Sequence, residues 1–236
     1  MNLFIIADEW EPLIGLREFL ETLGHKVEAF TDLPPFRSFT AFDAGFMYFH
    51  RTLNAELERG LVDYVHQGGR LIALHHGLAS AKVHNPAWME LAGLHIEPRD
   101  AQCHPWRVIS GVTHWLVNLC PGHYITTHFV EYDLSVRYTS SDTPSLPGMF
   151  PALELPHTEV FVNQHFTGGR TRTVLFGSMC RDPESGAMIM QDRGGWLRPA
   201  GAGVLIYLQP GHAPSDFAHA GFLQVLSNCL TWDGQS

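Results

Sequence analysis

Four short runs in the first third of the chain restrict what it can become. They are LFIIA (3–7), KVEAF (26–30), AGFMYF (44–49) and RLIAL (70–74), and three of them are almost wholly apolar. Runs this short and this apolar suit strands buried on both faces. Helical signals separate them. Pro12 opens a segment with Leu13, Leu16, Leu20 and Leu23 at helical spacing, and Gly24 closes it. Pro34-Pro35 forces an extended link before the third strand. Asn54 stands where it would cap AELERGLVDYVHQ, whose Leu57, Leu61, Val62 and Val65 form a stripe that ends at Gly68-Gly69. After the fourth strand, Asn85-Pro86 reads as an N-cap with proline at the first helical position of PAWMELAG. Strand–helix alternation of this kind predicts an α/β fold: a doubly wound, mostly parallel sheet flanked by helices.

The segment 94–185 is patterned less clearly. WRVI (106–109), YITTHFVEY (124–132), TEVFV (158–162) and TRTVLFG (171–177) look like strands, and 139–148 looks like a loop. Order returns with GVLIYL (203–208) as a buried strand and QPGH as a turn. Ser215 is the expected cap of a last helix through FAHAGFLQVLSNCLTW. No repeat or linker interrupts the chain, so 1–236 is expected to form one domain with an elaborated middle.

Composition narrows the function. With 45% hydrophobic and 17% charged residues the chain can bury a sizeable core. A net charge of −9 argues against nucleic acid as partner. The N-terminal MNLFIIADEWEP lacks a basic leader region and no segment approaches ~20 apolar residues, so a cytoplasmic protein without membrane contact is expected. Cys103, Cys120, Cys180 and Cys229 form no CxxC pair and are expected to be free thiols, none of them a nucleophile.

The 15 histidines carry the chemistry. GGRLIALHHGLAS (68–80) has the strand–turn–helix layout that exposes a reactive group above a parallel sheet, and it offers His75 and His76 there. Ligands of open α/β sheets sit beyond the carboxyl ends of strands. Asp8 and Glu9, His50, His75, His76 and His212 all follow strands. Imidazoles with a carboxylate suit zinc or a similar divalent ion, and if a metal is bound His50, His75 and His212 are expected among its ligands, assembled by the fold because no HExxH is present. Trp88, Trp106 and Trp196 are available to stack on a sugar or to fill the core. His84, His95, His157 and His219 read as surface residues.

QGGRLIALHHGLAS and GWLRPAGAGVLIYLQPGH, together with ADEWEP, YFHR and the closing NCLTW, resemble the ThuA-like (trehalose-utilisation) family. The resemblance implies a class I glutamine amidotransferase-like fold and a small-molecule carbohydrate substrate, a disaccharide or glycoside in 3-keto form. It implies acid/base chemistry leading to isomerisation, elimination or hydrolysis, with or without a metal, and it leaves room for a homo-oligomer. His75 would be the general acid/base, next to His76. His50 and His212 would orient or polarise the carbonyl, and Glu9 would hold a hydroxyl or an imidazole tautomer. The family's acidic segment corresponds loosely to TTHFVEYD, where Glu131 or His128 takes its place, and Trp196 would contact the sugar. An amidotransferase or peptidase would need a cysteine or serine at the elbow. Glycoside hydrolysis would need paired carboxylates, for which Glu9 and Glu131 are the only tempting pair. A non-catalytic sugar-binding or interaction module is the alternative, since fold alone does not imply activity.

Overall fold

Alternation of the apolar runs with amphipathic helices produces one large sheet. In chain order the elements are β1 (Asn2–Ala7), α1 (Ile14–Thr22), β2 (Lys26–Phe30), β3 (Ala44–Tyr48), α2 (Ala55–His66), β4 (Arg70–Leu74), α3 (Pro86–Ala92), β5 (Leu94–Ile96), β6 (Arg107–Asn118), α4 (Tyr124–Thr127), β7 (Leu134–Tyr138), β8 (Gly148–Val162), β9 (Gln164–Phe166), β10 (Thr173–Arg181), β11 (Met188–Ala200), β12 (Gly203–Leu208) and α5 (Ala220–Thr231). The computed structural model describes residues 1–32, 38–140, 147–167 and 171–234. Pro34-Pro35 and most of the loop expected at 139–148 lie outside them.

Ten strands join in the order β2-β1-β3-β4-β12-β11-β10-β6-β8-β7, and β5 pairs with β9 separately. The first five are parallel, as the alternation predicts. From β12 onward every neighbouring pair is antiparallel, so the sheet is mixed rather than mostly parallel. Both faces of the parallel half are covered. Leu3, Ile5 and Ala7 pack with Leu16 and Leu20 of α1 and Phe222, Val225 and Leu226 of α5. Phe4 and Ile6 point the other way, into Leu57, Leu61 and Val65 of α2 and Trp88 of α3. Two buried faces explain why β1, β3 and β4 read as continuous apolar runs.

Local signals hold with instructive exceptions. Asn54 caps α2 by accepting from Leu57 N at 2.9 Å, and Tyr64 joins the buried stripe while Val62 is only partly covered. Leu23 is not part of the apolar stripe of α1; it is 46% exposed at the helix end, where Gly24 takes a φ of +80°. Asn85 precedes α3 without capping it, because its amide is used instead on Leu53 N and Leu53 O. The cap of α5 is His219, whose Nδ1 accepts from Phe222 N, and not Ser215. That ring also meets Asp133 at 3.0 Å, so His219 is a structural group rather than a free surface residue.

The middle is where patterning misleads. YITTHFVEY forms no strand. Thr126 and Thr127 hydroxyls donate to His123 O and close a single helical turn, α4, before Phe129 takes a φ of +55°. WRVI and TEVFV are parts of strands much longer than expected, β6 and β8. Their register slips at Gly111 and again opposite Pro156-His157, where β8 bulges. A bulge is how a strand inside a sheet accommodates a proline.

Candidate functional site

The polar residues that follow β1, β3, β4 and β12 meet because those strands are neighbours on one edge. Glu9, His50, His76 and His212 line a cavity of about 330 Å³, with Arg99, Trp106, Val108 and Phe161. A further polar group, Glu159, enters from β8 beside the register slip at Gly111. Nothing in the local sequence marks it as functional. It is Glu159 that the site is built around.

Oε1 of Glu159 lies 3.3 Å from His75 Nε2, 3.8 Å from His76 Nε2 and 3.9 Å from His212 Nδ1. Its other oxygen accepts from the Ser110 hydroxyl at 2.7 Å, across the β6–β8 ladder. Burial alone would raise the Glu159 carboxyl, but His75, His76 and Ser110 outweigh it and hold the group well below the usual carboxylate range. Glu159 is an anion.

His75 forms the elbow and is strained, with φ +37°. Its ring is fully buried, stacked on Phe161 at 4.2 Å, and does not project into the crevice as expected from the sequence. Nδ1 lies 2.7 Å from Gln209 O. A carbonyl only accepts, so Nδ1 carries a proton. Burial, opposed by Glu159, pulls the imidazole down to about 4. Nε2 faces the Glu159 carboxylate at 3.3 Å, a contact that either a proton or a metal ion can bridge. The buried His212 Nδ1 has no hydrogen-bond partner among the described residues and adds a further ligand atom.

His75, His76, Glu159 and His212 thus present ligand atoms within 4.8 Å of one another. Tetrahedral ligands about 2.0–2.1 Å from one ion stand about 3.3–3.4 Å apart, close to the spacing here. The three rings are mutually inclined by 52°, 60° and 90°, so their in-plane lone pairs can converge. The supporting bonds are those a metal centre uses, a backbone carbonyl fixing one imidazole and a hydroxyl fixing the carboxylate. The residues fit a divalent ion.

The expected trio His50, His75 and His212 is split. His50 lies flat on His76, ring centroids 4.3 Å apart and planes 14° apart. Glu9, His50 and His76 also bring donor atoms within 4.8 Å, but lone pairs of parallel rings do not converge on one point. His50 pairs with Glu9 instead, Nδ1 to Oε1 at 3.1 Å, at the exposed mouth. This bears on the expectation that Glu9 fixes an imidazole tautomer: Nδ1–H donates to the carboxylate and leaves Nε2 as the available base.

Other sequence candidates lie elsewhere. His128 and Glu131 sit against the last helix: His128 O accepts from Asn228, and Glu131 O approaches Gly221. Neither lines the cavity. The YITT turn that replaces the expected strand carries both away. Trp196 is wholly buried between Phe166 and Tyr207, and Trp88 donates to Gly77 O; of the three tryptophans only Trp106 borders the cavity. No cysteine borders it, and all four are free thiols. His84, His95 and His157 are exposed, as expected.

A second fully buried imidazole, His114, lies near His75 and bonds Ser178 through Nε2 at 2.9 Å. Burial, reinforced by His75, pulls it down to about 3. Both rings take protons more readily in the unfolded chain. Stability of the metal-free protein should therefore be intact above pH 6.5 and fall as pH drops from 6.5 toward 4, by up to about 1.4 kcal/mol per pH unit per ring. Urea unfolding at pH 7, 6 and 5 measures this, and His114→Gln should roughly halve the slope. A stability independent of pH in that window would show that neither ring is held neutral.

A family model described as ThuA, trehalose utilisation, matches residues 16–233. The fold is similar to that of a ThuA-like protein from Parabacteroides merdae ATCC 43184, with 14% identity, TM-score 0.70, and 98% of this chain against 89% of that one. A ThuA-like protein from Bacteroides uniformis ATCC 8492 is similar at 14% identity and TM-score 0.65, over 98% and 90% of the two chains. The chain also matches 31% of a β-galactosidase from Rahnella sp. R3, at 12% identity, TM-score 0.58 and 97% of its own length. Comparison with curated proteins finds no match.

Proposed function

Since this chain belongs to the ThuA, trehalose utilisation, family, we propose that its crevice processes a carbohydrate bearing a ketone, a 3-keto disaccharide or glycoside. The observation that carries this reading is the convergence of ligand atoms of His75, His76, His212 and Glu159 within 4.8 Å of one another, with Glu159 Oε1 3.3 Å from His75 Nε2. His75, His76 and Glu159 would hold a divalent ion of the zinc class, with His212 completing the set or yielding to substrate. When bound, the ion supplies Lewis acidity, polarising the sugar carbonyl and making the neighbouring C–H acidic.

The chain supplies the rest. His50 Nε2 takes the proton from the carbon next to the carbonyl, and the C–H electron pair moves toward the carbonyl oxygen. Glu9 accepts from His50 Nδ1, keeps the base in the right tautomer and stabilises the imidazolium that forms. Return of the proton to the former carbonyl carbon, while the neighbouring hydroxyl passes its proton to the former carbonyl oxygen, moves the ketone by one carbon. Loss of a glycosidic oxygen one carbon further on gives elimination, with His50 as the acid for the leaving group. Trp106 and Phe161 offer an aromatic wall for a sugar face. The proton-moving role passes from His75, expected on sequence grounds, to His50, because the His75 ring is fully buried and the His50 ring is exposed at the mouth beside Glu9.

The order β2-β1-β3-β4-β12 with helices on both faces supports the finer reading of a doubly wound, glutamine amidotransferase-like core. Amidotransfer itself has no nucleophile here, since His75 and His76 stand at the elbow. Incubation of the metal-loaded protein with a 3-keto disaccharide in D2O tests the proposal. Deuterium should enter next to the carbonyl, and it should not enter the unoxidised sugar. Binding without exchange would favour a sugar-binding module instead.

A further inference from the structure

Beyond Tyr48 the sheet no longer holds the chain, yet His50 is needed in one place. We propose that Lys82, acting against Asp8, is a positioning residue that fixes the turn carrying His50; this rests on the reading of His50 as the proton-moving group. Lys82 is fully buried, and its Nζ donates to His50 O at 3.2 Å and Arg51 O at 2.6 Å. From the other side the Asp8 carboxylate, also buried, accepts from His50 N at 2.7 Å and Arg51 N at 2.8 Å, and from Arg51 Nε at 3.1 Å. All four main-chain polar groups of His50 and Arg51 are therefore satisfied by two buried side chains of opposite charge.

A buried amine is costly, and a turn can be closed by backbone and water alone. What this arrangement adds is reach across the crevice. Lys82 belongs to the short helical segment Ser80–His84, and Ala79, Ser80 and Ala81 line the cavity. Asp8 ends β1, His50 follows β3 and Lys82 follows β4, so one link ties three strand ends around the mouth. Burial, opposed by Asp8, brings the ammonium down to about 7. Both protonation states keep two N–H groups to donate, so the link does not depend on the charge.

Three variants test this, read by ¹⁵N NMR of histidine-labelled protein and by turnover of the keto-sugar. Lys82→Met keeps the stem and removes both donors. In the wild type His50 should be held as the Nδ1–H tautomer; in Lys82→Met both tautomers should be populated. Turnover should fall about 10- to 100-fold with KM within about twofold, the signature of a misplaced group. In a His50→Ala background Lys82→Met should have almost no further effect on kcat. Should Lys82→Met fail to fold, Asp8→Asn carries the same test from the other side. An unchanged His50 tautomer, or kcat losses that multiply in the double variant, would overturn the proposal. The NMR result stands even for a protein without turnover, so failure of the functional reading is distinguishable.

Discussion

Glu159→Gln should abolish tight zinc binding in the crevice. Glu159 Oε1 is the atom common to the close approaches of His75, His76 and His212, and it supplies the negative charge of the set. Glutamine keeps the size and can still accept from Ser110, so folding should survive. Removing a ligand outright should lower zinc affinity by more than the roughly 10–100-fold that loss of a supporting bond costs. In the metal-free state the variant loses the contact of a charged Oε1 with His75 Nε2, which should cost no more than about 1–3 kcal/mol of stability. Calorimetric zinc titration and urea unfolding of both proteins read the two effects. Undiminished affinity would remove Glu159 from the centre of the site.

His50→Ala should have the opposite profile. The side chain is 54% exposed, and surface truncations usually cost within about 0.5 kcal/mol. Zinc affinity should be unaltered, because the flat stacking on His76 keeps His50 out of the ligand set. Turnover should nevertheless fall by roughly 10²–10⁴-fold, the usual contribution of a positioned acid or base. Loss of zinc in this variant would return His50 to the ligands. Retention of most of the turnover would remove it from proton transfer. His75→Ala is no longer a cheap substitution: the ring is fully buried, stacked on Phe161 and bonded to Gln209, and losing it should cost about 1–3 kcal/mol.

Much of the site was legible because it follows from topology. An apolar run followed by a polar residue marks a strand end, and alternation with helices makes those ends neighbours. That logic found Glu9, His50, His75, His76 and His212 from positions scattered over two hundred residues. It could not find Glu159, which lies within β8 among alternating residues beside Pro156. Only the cross-strand register with Ser110 and the nearby bulge bring it to the crevice. Register depends on contacts between distant segments, and a local window holds no trace of it. The segment 124–132 failed for a related reason. Its β-branched and aromatic residues suit a strand, but threonine hydroxyls bonded to His123 O favour a helical turn, and Glu131 and His128 were misplaced with it. The antiparallel half of the sheet was under-read because β6, β8 and β11 are long and irregular, with glycines and prolines that ordinarily mark ends.

The relative merit of His75 and His76 turns on one backbone angle. The sequence places both at the elbow. With φ at +37°, His75 is fully buried beneath the cavity and bonded to Gln209, while His76 lines its wall. In the proposed site that division would make one histidine an inner ligand and set the other where ion and substrate would meet.

The central claim is that His75, His76 and Glu159 hold a divalent ion. X-ray absorption at the zinc edge, on wild-type protein loaded with one equivalent of zinc, tests it most directly. The account predicts a four-coordinate first shell of nitrogen and oxygen at about 2.0–2.1 Å, with at least two imidazoles and no sulfur, and a spectrum that changes in Glu159→Gln but not in His50→Ala. Zinc held by cysteine sulfur, or a spectrum indifferent to Glu159→Gln, would contradict it.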